Sequence, residues 1–400
     1  MILERQLVFS DPIYGYVRVE NGFIKRLINS KFFQRLRRIK QLSGVTMVFH
    51  TAEHSRFSHS LGAYEIARRF LDIPDLKSGF SKREKELFLA SALLHDIGHG
   101  PYSHAFEKVF NTNHESIGAY IITNDKEIRS ILDDIDSEFA NDVSSIILKK
   151  GKFPLIEQLI SSQVDVDRLD YLIRDSYHTG VPYGRVDIDK ITRSINIVDS
   201  KIVFKESALN TLESFFFNRY HMYWQVYYHP VGRAYEFNLE MIYRRISDLI
   251  KEGYNFSNNI NFLIRVMENP YDLDAYLAID DYYINGLINS FLYSKDEILK
   301  NLSCDFLNRK IWGYVDLDKK DLIDEIKSNF KNNEINYYCG ITAVRQSIYQ
   351  HSLYDTDREL FIFDDKNIVK LSEKSEIIKN LINKPNKTDD KLFYRKQNHE

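Results

Sequence analysis

Seven of the twelve histidines in this 400-residue chain fall between positions 50 and 114: His50, His54, His59, His95, His99, His104 and His114. Imidazole is the commonest metal ligand and the side chain that most readily carries a proton near neutral pH, so this density points to metal binding, proton transfer or both. One run, ALLHDIGHGPYSHAFE, holds His95-Asp96, His99 and His104. Neighbours on a continuous helix point about 100° apart. At a helix end, loosened here by Gly98 and Gly100, both members of the His95-Asp96 pair can turn toward one ion. A His-Asp dipeptide alone says little, because about one is expected by chance in such a composition. A single histidine is more often a hydrogen-bonded core or surface residue than a ligand. The combination says more. Arg56-Phe57-Ser58-His59 places a cation one turn before a histidine, and Asp165, Asp167 and Asp170 put three carboxylates within six residues, beside Arg168 and Tyr171. Burying carboxylates together is costly unless cations or a metal compensate them.

The elements that must position these groups are mostly helical. Gln6 to Phe9 and Tyr16 to Glu20 predict an N-terminal hairpin, with Asp11-Pro12 and Gly15 supplying its turn. From Gly22 to about Val186 the helical period dominates, as in the stripe Phe32-Phe33, Leu36, Ile39 and Leu42. Ser60 to Leu71 and Glu84 to His95 are two amphipathic helices, the second opened by a Ser81–Glu84 capping box. Ser103 to Phe110, His114 to Ile122 and Pro154 to Asp175 read as further helices. A hairpin is expected at Ile195 to Val198 and Lys201 to Phe204. Ala208 to about Glu252 reads as one long helix kinked at Pro230 and Gly232. Beyond Gly253 come strand-like pieces at Tyr314 to Asp316, Leu360 to Phe363 and Ile368 to Leu371, a helix over Ser372 to Ile382 and a polar tail over 386–400. The expected architecture is mainly α: a helical core over 1–255 with the short N-terminal hairpin, and a smaller α+β C-terminal lobe over 256–400.

Composition bounds the function. Lys+Arg number 54 against 57 Asp+Glu, for a formal charge of −3. That balance argues against a protein built to grip nucleic-acid backbone. Hydrophobic residues at 44% and charged residues at 28% fit a chain with a buried core and exclude wholesale disorder. Cys304 and Cys339 are the two cysteines, too few for a disulfide framework or a thiolate zinc site. The N-terminus lacks the layout of a signal peptide, and no apolar run approaches the roughly 20 residues of a membrane span. A cytoplasmic protein without membrane contact is expected.

The stretches HSRFSHSLG, ALLHDIGHGPYSH, NHES and SSQVDVDRLDYLIRDSYHTG, in that order, resemble the metal-dependent HD phosphohydrolases, and within them the deoxynucleoside triphosphate triphosphohydrolases. FSDPIYGYVRV, FQRLRRIKQLSGV and RYHMYWQVYYHPV are similar to the same family's pattern, so the likeness covers about residues 5 to 250. It implies an HD-domain helical core in which His59, His95, Asp96 and Asp167 bind a divalent ion such as Mg, Mn, Fe, Zn or Ni. It further implies that a metal-activated water attacks the α-phosphorus, with Asp96 also at the catalytic centre. His104 is then the proton donor to the leaving 5′-oxygen, with His114 and Glu115 as orienting or relay partners and His99 lining the phosphate pocket. Arg56, Arg168 and Arg219 stand where the family contacts triphosphate, and Gln41, Leu42, Tyr171, Asp175 and Tyr227 where it contacts the sugar. Asn29, Gln34 and Arg37 match an activating-nucleotide site, with Asn29 replacing the acidic residue that selects guanine.

From the residues alone, each arginine could instead form a surface ion pair. Asp167 could pair with Arg168 or Arg174, and the stripe Tyr220, Tyr223, Trp224, Tyr227 and Tyr228 could be core. The partners implied are a dNTP, an activating nucleotide and further copies of the chain in a dimer or tetramer. A phosphohydrolase acting on nucleoside monophosphates or cyclic nucleotides, and a non-catalytic nucleotide sensor or nucleic-acid binder, are the competing readings.

Overall fold

The computed structural model describes residues 2–346, 359–364, 367–382 and 387–396. The N-terminal hairpin pairs β1 (Ile2–Asp11) with β2 (Gly15–Asn21), Asp11 opposite Gly15. Asp11 Oδ1 accepts the backbone N–H groups of Ile13 and Tyr14, and Gly15 takes the positive φ of +72° that closes the turn.

Helices then dominate. Phe32, Phe33, Leu36, Ile39 and Leu42 are all buried, as their spacing predicts. The helix Lys82–Leu94 opens on the expected box, Ser81 accepting from Glu84 N while the Glu84 side chain returns to Ser81 N. Pro154 to Asp175 is two helices, Pro154–Ile160 and Val166–Thr179. Ser162 and Asp165 break it: Asp165 accepts from Ser162 N and caps the second helix through Arg168 N, both at 2.7 Å. The long helix also divides, into Leu209–Met222 and Pro230–Lys251 with a π turn at Tyr223–Tyr227 between them. Pro230 sits at the start of the second helix, where its missing N–H costs nothing, rather than at a kink.

The helices Arg56–Phe70 and Val166–Thr179 approach so closely that a Cβ on Gly62 would lie 1.8 Å from Asp170 Oδ1 and 2.5 Å from Arg174 Nη2. Both side chains are buried and tied to each other, so they yield little. Gly62→Ala should therefore cost about 1–3 kcal/mol by overpacking. Chemical unfolding measures it, and an unchanged midpoint would show that the helices part freely.

The strands lie in three sheets. β3 (Ile195–Val198) and β4 (Lys201–Lys205) form the expected hairpin, extended by β7 (Phe361–Asp364), parallel to β4, and β8 (Asn367–Lys370) in the order β3-β4-β7-β8. A third sheet runs β5-β9-β6, built from β5 (Gly313–Asp316), β6 (Cys339–Gln346) and β9 (Lys387–Tyr394), all antiparallel. The expected polar tail is thus corrected over 387–394: it is the central strand. Its charges hid it, because their partners are remote in sequence: Asp389 meets Arg233 at 2.7 Å and Lys391 bonds Asp316, while Leu392 and Phe393 are buried. Residues 386 and 397–400 of that expected tail lie outside the described residues. The main apolar core joins Phe57 and Leu169 to Leu263, Tyr276, Leu299 and Phe393.

Candidate active site

His59 projects from the Arg56–Phe70 helix, His95 caps the Lys82–Leu94 helix, and Asp167 lies in the first turn of Val166–Thr179. The three elements meet. His59 Nε2 lies 3.2 Å from His95 Nε2, 3.1 Å from Asp167 Oδ1 and 3.7 Å from Asp96 Oδ2. His95 Nε2 is 3.4 Å from Asp96 Oδ1 and 3.6 Å from Asp167 Oδ1. His59, His95 and Asp96 thus form one cluster whose donor atoms lie within 4.8 Å of one another, and Asp167 Oδ1 flanks it beside both imidazoles.

The donor set fits a divalent cation. His59 Nδ1 donates to Asp170 Oδ2 at 2.8 Å, and His95 Nδ1 donates to the carbonyl of Ala92 at 2.9 Å. Each imidazole thus has its outer nitrogen spent and turns Nε2 inward, the arrangement that prepares histidine for a metal. The cluster is also short of positive charge. Burial lowers the pKa of His59, yet hydrogen bonds and charge from Asp167, Asp170 and Asp96 outweigh it and hold the group up at about 10. A divalent ion would displace that proton.

The turn carrying Asp96 and His99 is fixed by distant residues. A Cβ at Gly98 would meet the carbonyl of His114 at 2.1 Å, so only glycine lets the His114–Asn124 helix come this close. The carbonyls of Gly98 and His99 accept from Tyr276 Oη at 2.6 Å and Arg35 Nη1 at 2.8 Å. Beyond it Tyr102 and Ser103 take positive φ values of 54° and 41°, and Asp281 Oδ1 accepts the N–H of Tyr102 at 2.8 Å. Ser103 Oγ accepts from Arg56 Nε at 3.0 Å, and Arg56 Nη1 donates to Asp96 Oδ2 at 2.6 Å.

Asp96 and Asp167 open into a cavity of about 470 Å³. Gln41, Leu42, Arg56, His99, His114, Arg168, Tyr171, Asp175 and Tyr227 line it too, so most of the sequence-derived substrate residues gather there. Asp175 accepts from His54 Nε2 and from Tyr227 Oη, each at 2.7 Å. The Tyr171 and Tyr227 rings meet edge to face with centroids 6.2 Å apart. Arg168 bonds Asp165, and nearby acids keep its guanidinium charged despite burial. Burial, together with the charges of Arg56 and His114, pushes the His99 pKa well below the ordinary histidine value.

Three expectations need correction or limits. Arg219 lies behind the wall, its Nη1 donating to Gln163 Oε1 at 3.1 Å and its guanidinium over the Tyr223 ring. Glu115 pairs with Lys149 at the surface, 3.0 Å away, and does not reach His114. The carboxylate that does is Glu107, whose Oε1 accepts from His114 Nδ1 at 2.7 Å, with the His114 ring stacked on His99 at 3.9 Å. Glu107 lies one helical turn past His104, a spacing the sequence offered. His104 opens the His104–Phe110 helix, but its side chain is outside the described residues.

Of the activator set, Gln34 Oε1 accepts from Arg37 Nε at 2.9 Å and Arg37 stacks on Phe57, 3.6 Å from its ring centre; Asn29 is exposed at its helix end. Arg37 lines a second cavity of about 620 Å³ with His54, His178 and Arg174. His54 joins the two cavities through its bond to Asp175.

A family model for the HD domain matches residues 56–175, and one for the HD associated region matches residues 186–264. The chain is an HD-domain protein. It is 39% identical to YwfO of Bacillus subtilis over 98% of this chain and 93% of that one. It is 30% identical to the deoxynucleoside triphosphate triphosphohydrolase SAMHD1 homolog of Dictyostelium discoideum, over 65% of this chain and 54% of that one. A crystal structure of a phosphohydrolase from Bacteroides thetaiotaomicron superposes with a TM-score of 0.87 at 26% identity, covering 98% of this chain and all of that one. This HD-domain protein thus belongs to the metal-dependent phosphohydrolase superfamily. No helix among the described residues is long and apolar enough to cross a membrane.

Proposed function

We propose that this HD-domain protein hydrolyses deoxynucleoside triphosphates to a deoxynucleoside and triphosphate. One observation carries the reading: a single cavity is lined by two of the converging acidic donors, by Arg56 and Arg168, and by the Asp175–Tyr227 pair. A metal site alone would suit any phosphohydrolase; guanidinium groups beside it suit a chain of phosphates, and the hydroxyl-accepting carboxylate with its tyrosine suits a deoxyribose. Water oxygen bonds the α-phosphorus, the bond to the 5′-oxygen breaks, and that oxygen takes a proton.

Bound by His59, His95, Asp96 and Asp167, a divalent cation supplies Lewis-acid polarisation and a more acidic water. The protein's own groups do the rest. Arg56 and Arg168 meet the phosphate charge, while Asp96 holds Arg56 in place. Glu107 fixes the proton of His114 on Nδ1, leaving Nε2 as its exchanging atom. His104 serves as donor to the leaving oxygen, and the Glu107–His114–His99 group relays protons at the cavity wall. The second cavity, lined by Arg37, whose guanidinium Gln34 holds, takes an activating nucleotide, and the chain works as a dimer or tetramer.

Hydrolysis in ¹⁸O-water tests the chemistry directly. Label in the released triphosphate supports attack at phosphorus; label in the nucleoside, or release of diphosphate, refutes it. The relay has its own test. Glu107→Gln should lower kcat by about a hundredfold, within the range for proton-transfer groups, and Glu115→Gln by less than about twofold, as for a surface pair. Equal effects of the two would remove Glu107 from the mechanism.

A further inference from the structure

Three guanidinium groups line the substrate cavity, those of Arg56, Arg168 and Arg233. Two of them are largely spent on the protein itself. Arg56 is 5% exposed and bonded to Asp96 and Ser103, while Arg233 is 4% exposed and bonded to Asp389 and Thr342. Arg168 differs. Its side chain is 22% exposed, Nη1 donates to Asp165, and Nη2 makes no hydrogen bond among the described residues. Its Nε is sealed from the cavity, so Nη2 is the edge that a ligand reaches.

Asp165 sets where that edge points. It lies wholly buried at the N-cap of the Val166–Thr179 helix. Its Oδ1 accepts from Arg168 N and its Oδ2 from Ser162 N, each at 2.7 Å, and Oδ2 also accepts from Arg168 Nη1. Capping does not account for this residue, because serine or asparagine caps a helix as well without burying a full charge. What only a carboxylate supplies is a second, anionic oxygen for the guanidinium. Arg168 lies in the first turn, where side chains lean toward the helix N-terminus, so the contact forms within that turn. A guanidinium is planar and its donors form a rigid fork, so holding Nη1 fixes the direction of Nη2.

Resting on the triphosphohydrolase reading, we propose that Asp165 is a positioning residue for phosphate: it holds Arg168 so that Nη2 faces the phosphate chain. The helix break at Ser162–Asp165 thereby serves the site. It gives the helix that carries Asp167, Tyr171 and Asp175 an anionic cap within reach of Arg168. Asp165 touches no reacting atom and acts only through Arg168.

Equilibrium binding to the Mn²⁺-loaded protein, with Mn²⁺ in excess over the polyphosphate, is the test. Tripolyphosphate probes the phosphate chain and thymidine the nucleoside. Asp165→Asn keeps the cap through Oδ1 but turns an NH₂ toward Arg168. It should weaken tripolyphosphate binding by about tenfold, the loss of one oriented charge-assisted bond, and thymidine binding by less than about twofold. Asp165→Ser, which caps through a hydroxyl, should do the same, so the result does not hang on the folding of one variant. In an Arg168→Ala background, Asp165→Asn should add less than about twofold. Equal weakening of both probes makes Asp165 a structural residue and overturns the proposal. Unchanged tripolyphosphate binding, or a full loss that persists without Arg168, overturns it too. Release of triphosphate from dNTPs is followed separately. A wild type that shows this binding pattern but hydrolyses no dNTP loses the reaction and keeps the positioning role. One that hydrolyses dNTPs while Asp165→Asn binds tripolyphosphate as wild type does loses only the positioning role, and a wild type that binds no tripolyphosphate loses that role as well.

Discussion

Asp167→Ala abolishes measurable turnover, a loss of about three orders of magnitude or roughly 4 kcal/mol of transition-state stabilisation, while the protein stays folded. The two halves of that expectation have separate causes. Asp167 Oδ1 lies 3.1 Å from His59 Nε2 and 3.6 Å from His95 Nε2, so its removal strips an anionic donor from the centre. Its structural role is small, because the side chain is 33% exposed and sits in the first turn of its helix. Losing an acidic group there costs about 0.3–1 kcal/mol through the helix dipole. Initial rates with Mn²⁺ and an unfolding curve check both halves. Turnover above a tenth of wild type would remove Asp167 from the centre, whereas a collapsed fold would make it a structural residue.

Asp170 shows the opposite balance. It is wholly buried and accepts from Arg174 Nε and Nη2, both at 2.9 Å, from His59 Nδ1 at 2.8 Å and from Tyr14 Oη at 2.7 Å. In Asp170→Ala the buried Arg174 keeps only its Asp11 partner, 2.9 Å away, among the ion pairs described. Breaking a buried pair on one side costs about 3–5 kcal/mol. The same change frees the His59 ring, which should weaken Mn²⁺ binding by about 10- to 100-fold. Burial alone would raise the Asp170 pKa, but Arg174 and His59 hold it down at about 2. Since the folded value is the depressed one, this contribution is full above the ordinary aspartate pKa near 3.9. It is lost as pH falls toward 2. The stability gap between wild type and variant should therefore be constant from pH 5 to 7 and close only in that acid range. Unfolding curves across pH, with calorimetric titration of Mn²⁺, measure both effects; a variant as stable as wild type would contradict the burial argument.

What the sequence disclosed depended on how local its cause was. The β3–β4 hairpin and the Ser81 capping box could be read because each is written in a short stretch, and the grouping of His59, His95 and Asp96 because ordered motifs carry it. The strand at 387–394 could not be read, since a polar run becomes a sheet centre only when Arg233 and Asp316 arrive from elsewhere. Helix breaks at Ser162–Asp165 and at the π turn were missed for a related reason: side-chain bonds to the backbone, and the demand that Tyr227 reach Asp175, override the apolar period. The resemblance implied Glu115 beside His114 as a relay partner of His104, yet neighbours on a helix diverge: Glu115 pairs with Lys149, and Glu107 from the preceding helix bonds His114. Asp170 was noted only as one carboxylate of three; its bond to His59 is a property of the Gly62 crossing, which no spacing within either helix reveals.

The central claim is that His59, His95, Asp96 and Asp167 serve one cation. Anomalous diffraction from crystals grown with Mn²⁺ tests it most directly. The account predicts one strong peak per chain, within bonding distance of both Nε2 atoms and of both carboxylates. A peak at another site, or a fully ordered cluster in saturating Mn²⁺ with no peak among the four, would contradict it.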